Sequence, residues 1–215
     1  LHAARARQDG QRGVTGHGSV AAVVLAAGSS SRLGQPKQLA PIAGRPALAY
    51  TLDALRASDV SSIVLVLGHA ADAVAAALDL TGVTVVHNQE YAEGQSTSVR
   101  AGIKALPDEV GAALMVVGDQ PMLSPAVVNK IVAVFAETGG PFIVPLYDGE
   151  WGNPVLLARA TWPLLDSLKG DTGARPILRK HMDMVLEVPV EGSLLDDIDT
   201  PEDYARIRTR MEGAR

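Results

Sequence analysis

Residues Val20 to Leu39 read VAAVVLAAGSSSRLGQPKQL, and this stretch decides the fold. Its first part, Val20 to Ala27, is apolar and rich in β-branched valine, which is typical of a buried strand. A glycine–serine loop, Gly28 to Ser31, follows directly. Small residues after a strand allow backbone N–H groups to approach a polyphosphate closely. The stretch therefore predicts a central strand that ends in a phosphate-binding loop.

Two cationic residues, Arg32 and Lys37, follow this loop. They would bring positive charge to bound phosphates, and we expect Lys37 to reach the reacting phosphate of a nucleoside triphosphate. A flexible surface loop is the alternative for the glycine–serine segment alone, and the two cations argue against it.

The spacing excludes two better-known phosphate loops. A Walker loop has four residues between its glycines and a lysine directly after the second, whereas here five residues separate Gly28 from Gly34. The dinucleotide fingerprint needs a second glycine two residues after the first, and Ser30 stands at that position.

Composition and length limit the number of domains and the kinds of partner that this protein can have. The 215 residues suit one α/β domain, and the net charge of −5 argues against a nucleic-acid partner. The chain has no cysteine and no apolar stretch long enough to cross a membrane, which fits a cytoplasmic protein. Residues 1–19 are rich in Gly, Arg, Gln and His without a hydrophobic period, so we predict a disordered leader there and a single domain over residues 20–215.

Apolar runs and helical spacings alternate along the first two thirds of the chain. This rhythm predicts a three-layer α/β/α, doubly wound, mostly parallel sheet. Prolines and a glycine punctuate Pro36 to Pro46, so we expect irregular chain there. After Pro145, the turn-forming pair Asp148-Gly149 predicts a partly antiparallel strand pair, and we expect Ala160 to Leu168 to be helical. Ligands of such sheets bind beyond the carboxyl ends of the strands. We therefore expect the loops at Gly28, His69, Asn88 and Asp119 to share one edge.

Three acidic residues are candidates for binding Mg²⁺. Asp119 follows an apolar run and precedes Pro121, at a strand end where one or two carboxylates can hold Mg²⁺ together with phosphates. An ordinary turn residue is the alternative. Asp197 and Asp199 precede the helix start at Pro201, and the helix dipole does not account for them. Either of the two is a candidate second ligand.

The opening stretch resembles the signature L-A-A-G-x-S-x-R-[LM]-G-x-x-K of nucleotidyltransferases, and in particular the MobA-like family, which attaches a nucleotide to molybdopterin. The tetrad Gly118 to Pro121 resembles the family's G-D-x-P metal motif, and Asp197 to Asp203 resembles its D-I-D-T-P-E-D run. The resemblance implies a fold like that of nucleotide-diphospho-sugar transferases, which is Rossmann-like. It also implies Lys37, Arg32 and Asp119 as catalytic residues.

The resemblance further implies a nucleotide site along the opening stretch. The segment Asn88 to Val99 resembles the loop that closes over the base, although Ser96 also fits a helix cap. The double-alanine form at Ala26 and Ala27 resembles the cytidylyl branch, so we expect CTP as the donor, with GTP as the alternative. The predicted nucleotide-binding residues are Leu25, Ala26, Ala27, Gly28, Ser30, Arg32, Lys37, Ser96, Ser98 and Asp119.

The acceptor side matches less fully. Many relatives carry histidine where this chain has Asn153, and this departure leaves a sugar- or alcohol-phosphate acceptor open. The run Gly170 to Arg175 resembles the family's G-D-x-G-A-R loop, in which Arg175 would grip an acceptor phosphate. Alternatively, Asp171 caps the next helix and Arg175 is solvated. The predicted acceptor residues are Asn153, Asp171 and Arg175.

Together these expectations describe a cytoplasmic, Mg²⁺-dependent enzyme. It would move CMP from CTP to the terminal phosphate of molybdopterin and release pyrophosphate, with a molybdenum hydroxylase apo-enzyme as a candidate recipient and with neither nucleic acid nor membrane as a partner. Guanylyl transfer from GTP and a non-catalytic molybdopterin-binding maturation chaperone are the alternatives.

Overall fold

The computed structural model describes residues 16–30, 33–192 and 194–213. Its strands are β1 (Ser19–Ala26), β2 (Pro41–Ile42), β3 (Arg45–Pro46), β4 (Ser62–Leu67), β5 (Val83–His87), β6 (Val110–Val117), β7 (Phe142–Tyr147), β8 (Glu150–Trp151), β9 (Val155–Ala158) and β10 (Val185–Pro189). Eight of them form one sheet in the order β10-β7-β9-β6-β1-β4-β5, with β8 paired to β7, and β2 pairs with β3 in a separate hairpin.

Helices cover both faces of the sheet. They are α1 (Ala47–Arg56), α2 (Ala71–Ala76), α3 (Gln95–Lys104), α4 (Pro125–Thr138), α5 (Arg175–Lys180) and α6 (Pro201–Gly213). Helices α1, α2 and α4 pack on one face, and α3 and α5 pack on the other together with a 3-10 helix, Arg159–Ser167. This arrangement gives three layers.

The central strand β1 shows why the layers form. Ala22 and Val24 belong to the core on one face of the sheet, and Ala21 and Val23 belong to the core on the other. All four are fully buried, because neighbouring side chains of a strand point to opposite faces and both faces are covered. On the α3 side, a Cβ added to Gly102 would lie 2.3 Å from Val23 Cγ1, so glycine permits the close helix–strand approach.

The predicted fold class is confirmed. Strand β1 runs parallel to its neighbours β4 and β6, and β4 runs parallel to β5. Strand β9 runs antiparallel to both β6 and β7, as the turn residues predict. The β7–β8 hairpin turns at Asp148 and Gly149, whose φ angles of 48° and 88° suit this pair of residues.

Three segments differ from the sequence expectation. Residues 36–46 contain a 3-10 turn (Lys37–Leu39) and the β2–β3 hairpin where we expected irregular chain. The helix expected over Ala160 to Leu168 is present as a 3-10 helix, Arg159–Ser167, with Pro163 inside it, which lacks a backbone donor. Of the predicted leader, residues 1–15 lie outside the described residues, whereas Ser19 already begins β1.

The start of α6 is fixed by two residues that bond to each other. The Thr200 hydroxyl donates to Asp203 Oδ2 at 2.8 Å, and the Asp203 N–H donates back to that hydroxyl at 3.2 Å. This is a capping box, which satisfies free donors at the helix start. The hydrogen bond from Thr200 and the guanidinium of Arg206 lower the pKa of Asp203.

We expect Asp203→Asn to lower the melting temperature at pH 7. A carboxyl whose pKa is depressed in the folded state stabilises the fold above its unfolded pKa and loses this contribution as the pH falls through the folded pKa. The melting temperatures of wild type and variant should therefore begin to converge below about pH 4, near the unfolded pKa of aspartate, and should meet below the lowered folded pKa. Melting temperatures measured from pH 7 to pH 2 test this, and a gap that does not change with pH would contradict it.

Candidate active site

A cleft of about 690 Å³ opens beyond the carboxyl ends of β1 and β6. Its walls come from the loop after β1, the turn at Lys37, the end of β6 and three more distant segments. The lining residues are Leu25, Ala27, Gly28, Ser29, Ser30, Lys37, Gln38, Tyr91, Ala92, Gly94, Gln95, Ser98, Val117, Gly118, Asp119, Asp171 and Asp199. The cleft thus lies at the edge of the sheet where ligands of doubly wound folds bind.

The loop after β1 exposes a row of backbone donors. The N–H groups of Gly28, Ser29 and Ser30 donate no hydrogen bond to another residue in the described ranges. Ser30 adopts a left-handed φ of 53°, and its hydroxyl accepts from the Lys37 N–H at 2.9 Å. Adjacent backbone donors in such a curved loop bind anions, so the loop is suited to phosphate.

Lys37 meets two of the predicted acidic residues. Its ammonium donates to Asp119 Oδ2 and, at 3.1 Å, to Asp199 Oδ1. Burial alone would lower the pKa of Lys37, but attraction to Asp119 and the hydrogen bonds to both carboxylates outweigh burial and raise it. The lysine is therefore a cation at all physiological pH values.

The acidic loop reaches the cleft because Ile198 fixes it. The Ile198 N–H donates to the backbone oxygen of Asp119 at 3.1 Å. Its side chain is fully buried and packs in a small core with Ile42 and Ile207. This anchor directs Asp199 towards Lys37, whereas Asp197 accepts from Gln120 Nε2 at 2.7 Å. Burial, followed by repulsion from Asp119, raises the pKa of Asp197.

Ile198→Ala should lower the free energy of unfolding by about 2–5 kcal/mol, because the methyl groups of a fully buried side chain are lost. The loop would also lose the contact that directs Asp199. Denaturant unfolding measures the loss, and Ile198→Val, expected to cost about 0.5–1.5 kcal/mol, is the matched control. A loss no larger in the alanine variant than in the valine variant would contradict the anchoring role.

The geometry of Asp119 and Asp199 fits a divalent cation shared with phosphates. Asp119 Oδ1 is buried and has no hydrogen-bond partner among the residues that the structure describes. Within the same residues, no group of three His, Cys, Asp or Glu side chains is close enough to hold a metal alone. Two carboxylates are nevertheless sufficient for Mg²⁺, which takes its remaining ligands from phosphates and water.

Some of the residues predicted to bind the nucleotide line the cleft and others do not. Leu25, Ala27 and Ser98 line the cleft. Ala26 does not, and its carbonyl accepts from Gln38 Nε2. Ser96 is buried inside α3, and since Gly94 occupies the helix N-cap position the capping alternative for Ser96 is wrong. Predicted catalytic Arg32 lies outside the described residues.

The residues predicted to bind the acceptor line two different cavities. Asp171 lines the main cleft, whereas Asn153 and Arg175 line an adjacent pocket of about 150 Å³. Arg175 donates to the Trp151 carbonyl at 3.3 Å. Helix α5 has Ala174 at its N-cap, so Asp171 does not cap it as the alternative proposed. The pocket and the cleft share Leu25, Gln95 and Val117 in their linings, and they therefore adjoin each other.

Gly94 joins the two sides of the site. A Cβ at this position would lie 2.2 Å from the backbone carbon of Gly170, and the Gly94 φ is 108°. Next to it, the Ser96 N–H donates to the Gly170 carbonyl at 3.1 Å. The loop on the predicted base side therefore contacts the loop that carries Asp171 directly.

Sequence reasoning missed Gln38, Gln120 and Ile198. Each looks unremarkable in the sequence, because each acts through a contact with a distant segment. Gln120 lies in the Gly118 to Pro121 tetrad and Ile198 in the Asp197 to Asp203 run, so motif resemblance could have drawn attention to these two residues.

The fold is a doubly wound sheet. Its carboxyl edge carries a loop suited to phosphate, a lysine and two carboxylates, and this combination is that of a nucleotidyltransferase. Residues 22–185 match the MobA-like NTP transferase domain, and the chain belongs to that family. The family prediction is thereby confirmed.

Relatives of similar length differ in their named activities. The purine catabolism protein PucB of Bacillus subtilis is 32% identical over 88% of this chain and 96% of its own. The molybdenum cofactor cytidylyltransferase of Escherichia coli is 28% identical over 87% and 95%. The nicotine blue oxidoreductase of Paenarthrobacter nicotinovorans is 29% identical over 87% and 96%.

Solved structures agree with the fold. Rv0371c of Mycobacterium tuberculosis superposes with a TM-score of 0.82 at 33% identity, covering 89% of this chain and 98% of its own. A structure of Rv0371c in complex with manganese has a TM-score of 0.76 at 32% identity, covering 88% and 97%. None of the helices in the described ranges is both long and apolar enough to cross a membrane.

Proposed function

We propose that this nucleotidyltransferase moves CMP from CTP to the terminal phosphate of molybdopterin and releases pyrophosphate. One observation carries the proposal: Lys37, Asp119 and Asp199 meet in a cleft next to the Gly28 to Ser30 loop, whose backbone donors have no partner among the described residues. The lysine can pair with the phosphates and the carboxylates can hold the metal ion, and the cleft is large enough for a nucleotide.

The reaction needs positioning and charge stabilisation more than a protein nucleophile. An oxygen of the acceptor phosphate attacks the α-phosphorus of CTP in line, and the bond from that phosphorus to the bridging oxygen of pyrophosphate breaks. The acceptor phosphate is already anionic, so no protein base is required. Lys37, with Arg32 as a second predicted cation, would stabilise the charge that develops on the phosphates.

Asp119 and Asp199 are the residues that would hold a divalent cation, which we propose to be Mg²⁺. When bound, the ion supplies Lewis-acid stabilisation of phosphate oxygens. The support is the unpaired Oδ1 of Asp119 and the second carboxylate beside it. The manganese complex of Rv0371c, a relative of 32% identity, agrees with a divalent ion. Asp197 remains a weaker candidate, because Gln120 already occupies one of its oxygens.

CTP is the proposed donor on two grounds. The double alanine of Ala26-Ala27 resembles the cytidylyl branch, and one relative is the molybdenum cofactor cytidylyltransferase of Escherichia coli. We assign the acceptor to the pocket with Asn153 and Arg175, which adjoins the cleft near Leu25. We also propose residues 20–215 as the transferase domain, a cytoplasmic location, and a molybdenum hydroxylase apo-enzyme as the recipient of the product.

The test is Mg²⁺-dependent pyrophosphate release, measured with each of the four ribonucleoside triphosphates in the presence and absence of molybdenum cofactor. We expect release only with CTP and cofactor together, and a cofactor product that contains CMP. Pyrophosphate release with GTP in place of CTP would identify GTP as the nucleotide donor and overturn the assignment of CTP. Pyrophosphate release from CTP with a sugar phosphate, but not with molybdenum cofactor, would identify the sugar phosphate as the acceptor. Cofactor binding without pyrophosphate release from any triphosphate would contradict the catalytic assignment.

A further inference from the structure

Gln38 is a buried polar residue in the wall of the cleft. It lies in the 3-10 turn directly after Lys37, and the residue is 1% exposed. Its side-chain nitrogen donates to the Ala26 carbonyl at 2.9 Å and, in a longer contact, to the Gly28 carbonyl at 3.5 Å. Carbonyl oxygens only accept, so these contacts fix which end of the amide faces the loop.

The amide oxygen of Gln38 is buried and lacks a hydrogen-bond partner among the described residues. A buried unpaired acceptor destabilises a fold, and an apolar side chain of similar size would avoid that cost. Burial in the core therefore does not explain why a glutamine occupies this position. Its two contacts to the loop after β1 remain as the explanation.

Those contacts complete a pattern along the loop. The Leu25 carbonyl accepts from the Gly118 N–H at 2.9 Å, and the Ala27 carbonyl accepts from the His69 N–H at 3.2 Å. Gln38 supplies the donor for the two carbonyls that remain, those of Ala26 and Gly28. Four successive carbonyls are thus directed at protein donors.

This pattern determines where the backbone donors point. In a trans peptide, the carbonyl of one residue and the N–H of the next lie in one plane and point in opposite directions. Fixing the Gly28 carbonyl on Gln38 therefore directs the Ser29 N–H away from Gln38. The Ser29 N–H is one of the three loop donors that have no hydrogen-bond partner within the described ranges.

We propose that Gln38 is a positioning residue for the phosphate loop: its amide orients the peptides after Ala26 and Gly28 so that the loop N–H groups face the triphosphate. The inference rests on the proposed function of the cleft and adds a residue to it. Gln38 acts through the backbone, and it contacts no reacting atom in this role.

The test compares wild type with Gln38→Met, which keeps the length of the side chain and removes both the donor and the unpaired acceptor. We expect inorganic tripolyphosphate and CTP, each with Mg²⁺, to bind about tenfold more weakly, as for one lost hydrogen bond to a charged group. CMP lacks the β- and γ-phosphates of a triphosphate. The affinity of Gln38→Met for CMP should therefore stay within about twofold of wild type, well short of the tenfold change that one full interaction gives. The melting temperature should change little, because the variant loses the unpaired amide oxygen but also leaves the Ala26 carbonyl without its donor. Isothermal titration calorimetry and thermal unfolding give these readouts.

Two further variants complete the experiment. Gln38→Glu keeps the shape but presents only acceptors to two carbonyls, so triphosphate binding should fall further than in Gln38→Met. Glu137→Met replaces a polar side chain of similar length at an exposed position of α4, outside the cleft lining, and should bind like wild type.

The outcomes separate the two hypotheses. If wild type binds neither tripolyphosphate nor any nucleoside triphosphate, the proposed function fails. If wild type binds them and Gln38→Met binds them equally well, the function stands and the positioning role is overturned. A lower melting temperature with equal losses for CMP and tripolyphosphate would also overturn it, because that result describes a structural residue.

Discussion

Lys37→Ala is expected to lower the rate of pyrophosphate release on the order of a hundredfold or more, the effect of losing one charged donor to a transition state. The physical reason is the position of the ammonium, which lies in the wall of the cleft and keeps its charge because two carboxylates raise its pKa. The loss should appear in kcat at saturating CTP. Lys37→Arg should recover part of it, since the charge remains while the geometry of the donor changes.

The same substitution should have a second, opposite effect. Asp119 and Asp199 share the ammonium of Lys37, so its removal leaves two carboxylates facing each other. Titration with Mn²⁺ alone, without nucleotide, should then show tighter binding than in wild type. Lys104→Ala, at an exposed position at the end of α3, is the matched control for both measurements. A near-normal rate in Lys37→Ala would falsify its role.

The part of this site that sequence could predict lies next to the central strands. Gly28 and Asp119 each directly follow a strand whose apolar run is easy to recognise, and parallel strands bring their carboxyl ends to one edge. Lys37 follows the first of these loops by a fixed spacing. Local patterns therefore located the loop, the lysine and the first carboxylate.

The choice between Asp197 and Asp199 depended on packing that local patterns do not contain. The two carboxylates flank Ile198, and the burial of that isoleucine against Ile42 and Ile207 decides which one turns to the cleft. Those partners come from the β2–β3 hairpin and from α6. Because the hairpin was expected to be irregular chain, the direction of the loop could not be inferred.

Gln38 was missed for a similar reason. A glutamine between a lysine and a leucine is expected at the surface, since glutamine is mostly exposed in folded proteins. Its burial follows from the way the 3-10 turn folds back against the end of β1, which no periodicity predicts. Ala26, by contrast, was expected to meet the base, but its carbonyl is directed at Gln38.

The acceptor is the least determined part of the site, and the relatives show why. The purine catabolism protein PucB, a molybdenum cofactor cytidylyltransferase and a nicotine blue oxidoreductase are 28–32% identical to this chain over 87–88% of its length. A common scaffold of this kind supports different chemistry through a few side chains. Here the pocket beside Leu25 carries Asn153 and Arg175, so acceptor specificity should be sought there.

Asp119→Asn is expected to lower the rate of metal-dependent pyrophosphate release on the order of a thousandfold, because a bound ion supplies several kcal/mol of charge stabilisation to the transition state. Asparagine has the shape of aspartate but lacks its charge. Asp119 faces the cleft with one oxygen on Lys37 and the other unpaired in the described part of the chain, so the loss falls on the cation site rather than on the core.

The measurement that isolates this effect is the dependence of the rate on Mg²⁺ and Mn²⁺ concentration, paired with Mn²⁺ binding in the presence of CTP. The variant should need far more of either ion, and its melting temperature should stay near that of wild type. Asp148→Asn is the control, because it makes the same change at an exposed turn where asparagine also tolerates the left-handed conformation. If Asp119→Asn keeps the wild-type metal dependence, the cation lies elsewhere, and Asp199 loses its proposed partner in holding it.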